Sequence, residues 1–193
     1  MRKAPALPIR TQRLILRPFV PDDLEAFGVI YARADVVRYL NSHPWSTAEA
    51  RRMLERIVPM NGFGDGSDAL RLAVILPETG ALIGDVSCWQ TSAEHNQGEI
   101  GFVFHPDHHG HGYATEAVTE VLRAGFEVAG FHRMVGRADA RNGPSARLME
   151  RLGMRREAHL HENAFIKGEW TDELVYAMLG DEWRARQATP AAP

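Results

Sequence analysis

GEIGFVFHPDHHGHGYATEAVTEVLRAGFEVA, residues Gly98–Ala129, is the stretch that decides the fold. Its apolar run Ile100–Phe104 predicts a short buried strand, and its second half predicts a helix. The helical prediction rests on spacing, because the apolar residues recur on one face and the charged residues fall on the other. The apolar face consists of Ala117, Val118, Val121, Leu122 and Phe126. The stretch therefore predicts a strand, a polar loop and an amphipathic helix in succession.

The polar loop His105–Gly112 has the features of an anion-binding turn. Gly110 and Gly112 lack a Cβ, so a ligand can approach the main chain there and φ can be positive. The N–H groups of residues 110–115 would have no intrahelical acceptor, and the helix dipole adds partial positive charge, which suits phosphate. The loop matches neither a P-loop nor the dinucleotide fingerprint. Spacing alone also allows an ordinary strand-to-helix turn.

Length and composition predict one globular domain. The chain has 193 residues, of which 45% are hydrophobic and 24% are charged. A net charge of −3 argues against binding nucleic acid by bulk charge. No segment approaches the roughly 18 uninterrupted apolar residues of a membrane span, and the N-terminus lacks the apolar region of a signal peptide. We therefore expect a cytoplasmic protein without nucleic-acid or membrane partners.

The single cysteine, Cys88, is expected to have no chemical role. It cannot form an internal disulfide, and it lies in the apolar run Val86–Trp89. A small buried hydrophobic residue is the ordinary interpretation of such a position.

The first half of the chain predicts one strand and two helices, followed by a loop. Arg13–Phe19 alternates between two faces and ends near a proline, which predicts a strand at a sheet edge. Pro21 begins a helix that continues through Tyr31, and Ser46 with Glu49 forms the capping box of a second helix. Asn61–Asp68 is predicted to be a loop from its composition.

The second half predicts most of the sheet. Its expected strands are Ala69–Leu76, Ala81–Trp89, Gln97–Phe104, Met134–Ala138, Met154–Phe165 and Trp170–Leu179. A further helix is expected from Asn142-Gly-Pro144 to Gly153. The order β-α-α-β-β-β-α-β-α-β-β indicates a mixed α/β fold with one sheet, and the central helix would join a parallel pair of strands.

These segments resemble the GCN5-related N-acetyltransferases (GNAT), and within them the group that acetylates the N-termini of ribosomal proteins. The likeness covers Ile9–Trp183 and rests on Leu14-Ile-Leu-Arg17-Pro18, Gly84, Glu99-Ile-Gly-Phe102, Gly110-His-Gly-Tyr-Ala-Thr-Glu-Ala117, Asn142-Gly-Pro-Ser145, Leu152-Gly-Met154 and Lys167-Gly-Glu-Trp-Thr-Asp172. It implies an acyltransferase domain over residues 9–183, between flexible tails at residues 1–8 and 184–193. The implied fold is a single mixed, mostly antiparallel sheet with a splayed central parallel pair and helices on both faces.

The resemblance implies that acetyl-CoA is the co-substrate. It would bind where the strand ending at Phe104 and the strand beginning at Met134 splay apart, with its pyrophosphate on the N–H groups of His109–Ala114. The implied cofactor-binding residues are Phe102, Val103, Phe104, His109, Gly110, His111, Gly112, Tyr113, Ala114, Thr115, Asn142 and Ser145. Asp107 departs from the family pattern, which has Gln or Arg at this position. An acidic side chain would not attract phosphate, whereas main-chain binding is unaffected.

The reaction is attack of a neutral amine on a thioester, and it needs a base, donors for the oxyanion and an acid for the thiolate. The resemblance makes Glu99 the first candidate base, acting through water, with His161 and Glu162 as rivals. Many relatives use a tyrosine as the acid, but Met149 occupies that position here. Ser145 matches a serine that lies near the sulfur in the resembled group, which makes it the candidate acid.

Each of these assignments has a purely structural alternative. Glu99 could be a solvated charge at a strand start, Asn142 a helix cap and Ser145 a first-turn residue. The aromatic residues Tyr113 and Trp89 could line the groove or pack in the core. The arginines at 137, 141 and 147 could meet the 3′-phosphate of CoA or form a solvated face.

The expected activity is transfer of acetyl to a primary amine, either a protein N-terminus or a small molecule, by a monomer or homodimer. A non-catalytic CoA sensor is one alternative, because the tyrosine acid is missing. A His-rich metal-binding protein is another, since His105, His108, His109 and His111 fall within one loop. No metal is expected, because the main chain of that loop is already assigned to phosphate.

Overall fold

A computed structural model describes residues 4–64 and 67–188 of the chain. The strands are β1 (Ile9–Arg10), β2 (Ile15–Pro18), β3 (Asn61–Gly64), β4 (Ser67–Leu76), β5 (Ala81–Ser92), β6 (Gln97–Phe104), β7 (Arg133–Asp139), β8 (Arg155–Ile166) and β9 (Glu169–Leu179). The helices are α1 (Leu24–Tyr31), α2 (Ala34–Val37), α3 (Thr47–Ile57), α4 (Tyr113–Arg123), α5 (Gly143–Arg151) and α6 (Gly180–Ala188). Short 3-10 turns at Pro21–Asp23 and Pro106–His108 and a π-helical turn at Ala124–Val128 complete these elements.

The strands form one sheet in the order β1-β2-β4-β5-β6-β7-β9-β8, and β3 pairs with β4 beside β2. Neighbouring strands are antiparallel except β6 and β7, which are parallel and are joined through α4. The predicted fold class is therefore confirmed.

Helices cover both faces of this sheet. On β4 the alternating side chains divide between two cores: Leu72 and Val74 belong to one, and Ala73 and Ile75 to the other. Helices α4 and α5 pack on the first core, and the whole apolar face predicted for α4 is buried there. Helices α1, α2 and α3 pack on the second core.

Cys88 is buried in the first core, as expected. Burial raises the pKa of its thiol, so the thiolate form is disfavoured. In the described part of the chain, no helix is both long enough and apolar enough to cross a membrane.

The predicted loop Asn61–Asp68 contains a strand instead. Strand β3 pairs with β4 in the register Asn61↔Leu70, while residues 65 and 66 lie outside the described residues. Phe63 in this strand is only 3% exposed. Pairing with β4 and burial of this aromatic ring outweigh the low β propensity of the neighbouring glycines.

The chain ends also differ from the prediction. Strand β2 is not at the sheet edge, because β1 pairs with it in the register Ile9↔Leu16. A short helix, α2, follows α1, and α6 continues to Ala188, within the segment expected to be a tail. Residues 1–3 and 189–193 of the expected tails lie outside the described residues. The domain boundaries at residues 9 and 183 stay a prediction.

Candidate active site

The parallel strands β6 and β7 pair only along the first part of their length. Their register runs from Gln97↔Arg133 to Ile100↔Gly136. Beyond this point β6 stays paired with β5 and β7 stays paired with β9. The facing edges at residues 101–104 and 137–139 therefore diverge, and the main-chain groups that they turn toward each other have no strand partner.

A cleft of about 840 Å³ occupies this opening, which is within the size range of ligand sites. It is lined on one side by the start of α4 and of α5. On the other side it is lined by α1, α2 and the ring of Trp45. The cleft therefore joins the two sides of the sheet, so that two ligands could enter it from opposite ends and meet at the splay.

The predicted anion-binding turn forms one wall of this cleft. Gly112 is the N-cap of α4 and has φ +80°, and Gly110 also has φ +80°. Both glycines line the cleft together with the first-turn residues Tyr113, Ala114 and Thr115. The first turn of an α-helix has free N–H groups and the positive end of the helix dipole. This wall can therefore bind an anion.

An ion pair that the sequence analysis missed holds this turn in place. The carboxylate of Glu116, in the first turn of α4, accepts hydrogen bonds from Thr11 Oγ1 at 2.6 Å and from Arg13 Nε at 2.8 Å. Arg13 also donates from Nη1 to the carbonyl of His111, at 2.9 Å. Burial raises the pKa of Glu116, but the hydrogen bonds from Thr11 and Arg13 outweigh it, so the pKa is lowered. The segment before β2 therefore fixes the start of α4.

Glu99 lies on β6 in the lining of the cleft, and its side chain is 18% exposed. Burial raises the pKa of its carboxyl. Arg137, with Nε 3.5 Å from Glu99 Oε2, opposes this shift, and Glu173, which also pairs with Arg137, adds to it. A carboxyl group with a raised pKa in a cleft has the properties of a general base.

The start of α5 forms the wall opposite β6. Asn142 caps the helix, because its Oδ1 accepts the N–H of Ser145 at 3.2 Å, so its structural role is confirmed. Within the described residues, the Ser145 hydroxyl makes no hydrogen bond, and Ser145 lines the cleft. Met149 is fully buried, and a Cβ added at Gly136 would come within 2.5 Å of its sulfur. The missing tyrosine is thus replaced by a core residue, and Ser145 presents the hydroxyl.

A buried charged cluster at the α1 end of the cleft was not predicted. Asp85 is 2% exposed and accepts hydrogen bonds from the Tyr31 hydroxyl at 2.7 Å and from Arg71 Nε at 2.8 Å. Arg71 also donates to the Tyr31 oxygen at 2.8 Å. Burial, followed by the charge of Asp85, raises the pKa of Tyr31 well above its usual value. Tyr31 is therefore held as a neutral phenol. Its ring stacks on the ring of Trp45, with the two ring centroids 4.1 Å apart.

The structure brings nearly all of the predicted site residues into one cleft. Those that line it are Glu99, Phe102, Val103, Phe104, His109, Gly110, Gly112, Tyr113, Ala114, Thr115, Asn142 and Ser145, together with Trp89. His111 does not line it, since its ring stacks against Tyr113 at 5.5 Å. His161 and Glu162, the rival bases, also lie outside the lining, as does Asp107. Asp107, the acidic residue at the unusual position, is therefore not part of the cleft wall.

The loop histidines do not converge on one point. His109 donates from Nε2 to the carbonyl of Phe104 at 3.1 Å, and His111 Nδ1 contacts the carbonyl of His109 at 2.8 Å. Within residues 4–64 and 67–188, His105, His108, His109 and His111 do not form a group of ligand atoms close enough to hold a metal.

Two of the three candidate arginines are already engaged. Arg137 pairs with Glu99 and Glu173, and Arg141 pairs with Asp139 at 2.7 Å and with Glu169 at 2.9 Å. Arg147 lies on the exposed face of α5. The three side chains therefore do not form one cationic patch.

Comparison with known proteins agrees with this architecture. Among relatives, the uncharacterized N-acetyltransferase YnaD of Bacillus subtilis (strain 168) is 32% identical over 175 residues, which cover 91% of this chain and 98% of YnaD. Among solved structures, the acetyltransferase (GNAT family) from Bacillus anthracis has a TM-score of 0.80 at 32% identity and covers 90% of this chain and 99% of its own.

A third comparison concerns the fold alone. The spermidine N-acetyltransferase from Vibrio cholerae, solved in complex with CoA and spermine, has a TM-score of 0.77 at 22% identity over 90% of this chain and 99% of its own.

The family model of the acetyltransferase (GNAT) domain matches residues 13–155 of this chain. Because this match covers more than half of the chain, the protein belongs to the GNAT family of acetyltransferases.

Proposed function

We propose that this chain transfers the acetyl group of acetyl-CoA to a primary amine by direct attack in a ternary complex. The observation that carries this proposal is the continuity of one cleft. It contains the free N–H groups of the α4 turn, the unpaired edges of β6 and β7, and the half-buried carboxyl of Glu99. An anion site and a candidate base thus line the same cleft, as a two-substrate reaction requires.

The cofactor would bind along the wall formed by β6, α4 and α5. Its diphosphate would accept hydrogen bonds from the main-chain N–H groups of residues 110–115, because the N–H of His109 already donates to the carbonyl of Pro106. The pantetheine amides would pair with the free edge around Phe102, since an exposed strand edge binds an extended amide chain by main-chain hydrogen bonds, whereas the carbonyl of Phe104 already accepts from His109 Nε2. Asn142 would approach the pantetheine with its amide nitrogen, because its Oδ1 is used as the helix cap.

Two side chains would move the protons. Glu99 would take a proton from the incoming ammonium through a water molecule, and its raised pKa suits a base that works near neutral pH. Ser145 would give its hydroxyl proton to the thiolate of CoA while its oxygen takes the second proton that the attacking nitrogen releases, since this hydroxyl has no hydrogen-bond acceptor among the described residues. The charge of Arg137 opposes the rise in the pKa of Glu99 and so favours its ionised, proton-accepting form.

The acceptor would enter from the side of α1 and α2, away from the α4 turn. Asp35 and Glu99 line the cleft, where Asp35 pairs with Arg33 at 2.8 Å and Glu99 lies 3.5 Å from Arg137, while the charge of Asp85 is compensated by Arg71. The reaction itself requires a primary amine that can give up a proton to Glu99. Protein N-termini and small-molecule amines such as spermidine both fit this chemistry, and membership of the group that acetylates ribosomal-protein N-termini stays a prediction. So do a cytoplasmic location and a monomeric or homodimeric state.

The first experiment is calorimetric titration of the purified protein with acetyl-CoA, followed by a thiol-release assay with a panel of amines. We expect micromolar binding, release of CoA with at least one cationic amine, and loss of release but not of binding in Glu99→Gln. Absence of binding in the wild-type protein would contradict the cofactor assignment. Binding without thiol release from any amine would instead favour a CoA sensor.

A further inference from the structure

A second cluster of chemically active side chains lies on the hairpin formed by β8 and β9, outside the cleft. His159 and His161 extend from β8, and Asp172 extends from β9. The Nε2 atom of His159 and the Nδ1 atom of His161 each lie 2.8 Å from the same carboxylate oxygen, Oδ2 of Asp172. The three potential ligand atoms all lie within 4.8 Å of one another. Two imidazoles and one carboxylate thus meet at one point of the surface.

An irregularity in the hairpin brings these residues together. The pairing of β8 with β9 shifts between Leu160 and Ala164, and Glu162 within this segment has φ +47°. The main-chain N–H of Glu162 donates to Asp172 Oδ1 at 2.9 Å, which orients the carboxylate and leaves Oδ2 for the two rings. Such an outer hydrogen bond to a ligating carboxylate is a usual feature of metal sites.

An aspartate side chain is ordinarily ionised at neutral pH, so Asp172 offers a charged oxygen ligand. The two rings are accessible, because the His159 and His161 side chains are 39% and 75% exposed.

We propose that His159, His161 and Asp172 bind a divalent transition-metal ion, with Zn²⁺ as the reference ion. Imidazole and carboxylate together suit Zn²⁺ and its neighbours in the first row rather than Mg²⁺ or Ca²⁺. At zinc–ligand lengths of about 2.0–2.1 Å, tetrahedral ligands lie about 3.3 Å apart, so the present contacts would lengthen by about half an ångström. Exposed rings allow this movement, and three protein ligands leave one position for water.

Each imidazole can change from a hydrogen-bond donor to a metal ligand by a change of tautomer. In the structure each ring nitrogen contacts a carboxylate oxygen, which requires a hydrogen on that nitrogen. The other neutral tautomer carries a lone pair on the same nitrogen, and this lone pair would bind the metal. The ion would then replace two hydrogen bonds to Asp172 by three coordinate bonds.

The proposed metal site is separate from the acetyl-transfer cleft, and it does not depend on the proposed reaction. The main chain connects the two sites, because the carbonyl of Asp172 accepts the N–H of Ala140 at 3.0 Å in the segment before α5, and the adjacent Glu173 pairs with Asp139 of β7. The metal would therefore bind with or without acetyl-CoA present.

The test is titration of the full chain, free of tags and chelators, with Co²⁺ followed by visible absorption and with Zn²⁺ followed by calorimetry. The site variants are His159→Ala and Asp172→Asn, and the second keeps an Oδ1 acceptor for Glu162. The control is the double variant His108→Ala/His111→Ala, which removes two histidines of the other His-rich segment. Circular dichroism of each variant checks that the fold is retained.

We expect one equivalent of Co²⁺ to produce visible bands in the wild-type protein and in the control variant. Each site variant should bind the metal more than about tenfold more weakly, because even the loss of a residue that only hydrogen-bonds a metal ligand usually costs at least about tenfold in metal affinity. The proposal is overturned if wild type binds neither ion at 100-fold excess, if the folded site variants bind as wild type does, or if affinity falls only in the control.

Discussion

Replacing Gly112 by alanine separates the strain of the α4 turn from its contribution to cofactor binding. Gly112 has φ +80° and ψ 0°, a left-handed conformation that costs a residue with a Cβ about 1–2 kcal/mol. The added methyl group itself fits, because its nearest neighbour would be Arg13 Nη2 at an ordinary 3.4 Å. For a domain of this size each kcal/mol lowers Tm by about 2–4 °C, so we expect Tm to fall by about 2–8 °C.

Gly80 provides the matched control. It has φ +71°, an added Cβ would meet nothing within 4 Å, and it lies in the β4–β5 turn away from the cleft. Gly80→Ala should therefore lower Tm by a similar amount. Calorimetric titration with acetyl-CoA should then distinguish the two variants. Gly112→Ala should raise Kd at least about tenfold, or 1.4 kcal/mol, because the added methyl group stands where the diphosphate would approach the main chain.

The reasoning would be refuted by equal acetyl-CoA affinity in both variants, at equal loss of Tm. In that case the turn would be strained without holding the cofactor, and the anion would have to bind elsewhere in the cleft.

Three further predictions concern single side chains. Glu99→Gln should lower kcat/KM by about 10²–10⁴-fold. Wild-type activity should fall as the pH drops through the raised pKa of Glu99, and the variant should not show this fall. The pH profile is measured with an acceptor amine that stays neutral over the range. Ser145→Ala should lower kcat up to about a hundredfold while Tm stays unchanged, since the hydroxyl has no hydrogen-bond partner in the described chain; an unchanged kcat would remove Ser145 from the reaction. The pKa of Glu116 is lowered in the folded protein by its hydrogen bonds with Thr11 and Arg13. These bonds therefore stabilise the fold fully at a pH above 4.5, the ordinary pKa of a glutamate, and this contribution is lost as the pH falls through the lower folded pKa. Thermal unfolding between pH 6 and pH 3 should show a steeper fall of Tm in wild type than in Glu116→Gln, and parallel curves would contradict this assignment.

Much of the fold could be predicted because its signals are local. The apolar face of α4 follows from a spacing of three and four residues, and it is buried as predicted. The capping box of α3 is also a short-range pattern: Ser46 Oγ accepts the N–H of Glu49, and the Glu49 carboxylate accepts the N–H of Ser46. The two glycines of the α4 turn predicted its positive φ angles, because positive φ is a property of single residues.

Local sequence predicted the structure less well where a strand forms only because it pairs with another strand. Strand β3 was predicted as a loop because its own sequence is rich in glycine, and only pairing with β4 and burial of Phe63 make it extended. The splay between β6 and β7 is likewise a property of four strands, since it requires β5 and β9 to hold the outer edges. The sequence pattern predicted this opening only through resemblance to a family.

The sequence by itself determined helices α1, α3, α4 and α5 and most strands, because periodicity, caps and turns are encoded within a few residues. Tertiary structure alone decided which charges meet. Glu116 pairs with Arg13 across 103 positions of the chain, and Tyr31 meets Asp85 across 54. The two histidines of β8 meet Asp172 only because a shift in strand pairing turns them toward it. Contacts of this kind depend on distances between strands and helices, which no local pattern contains.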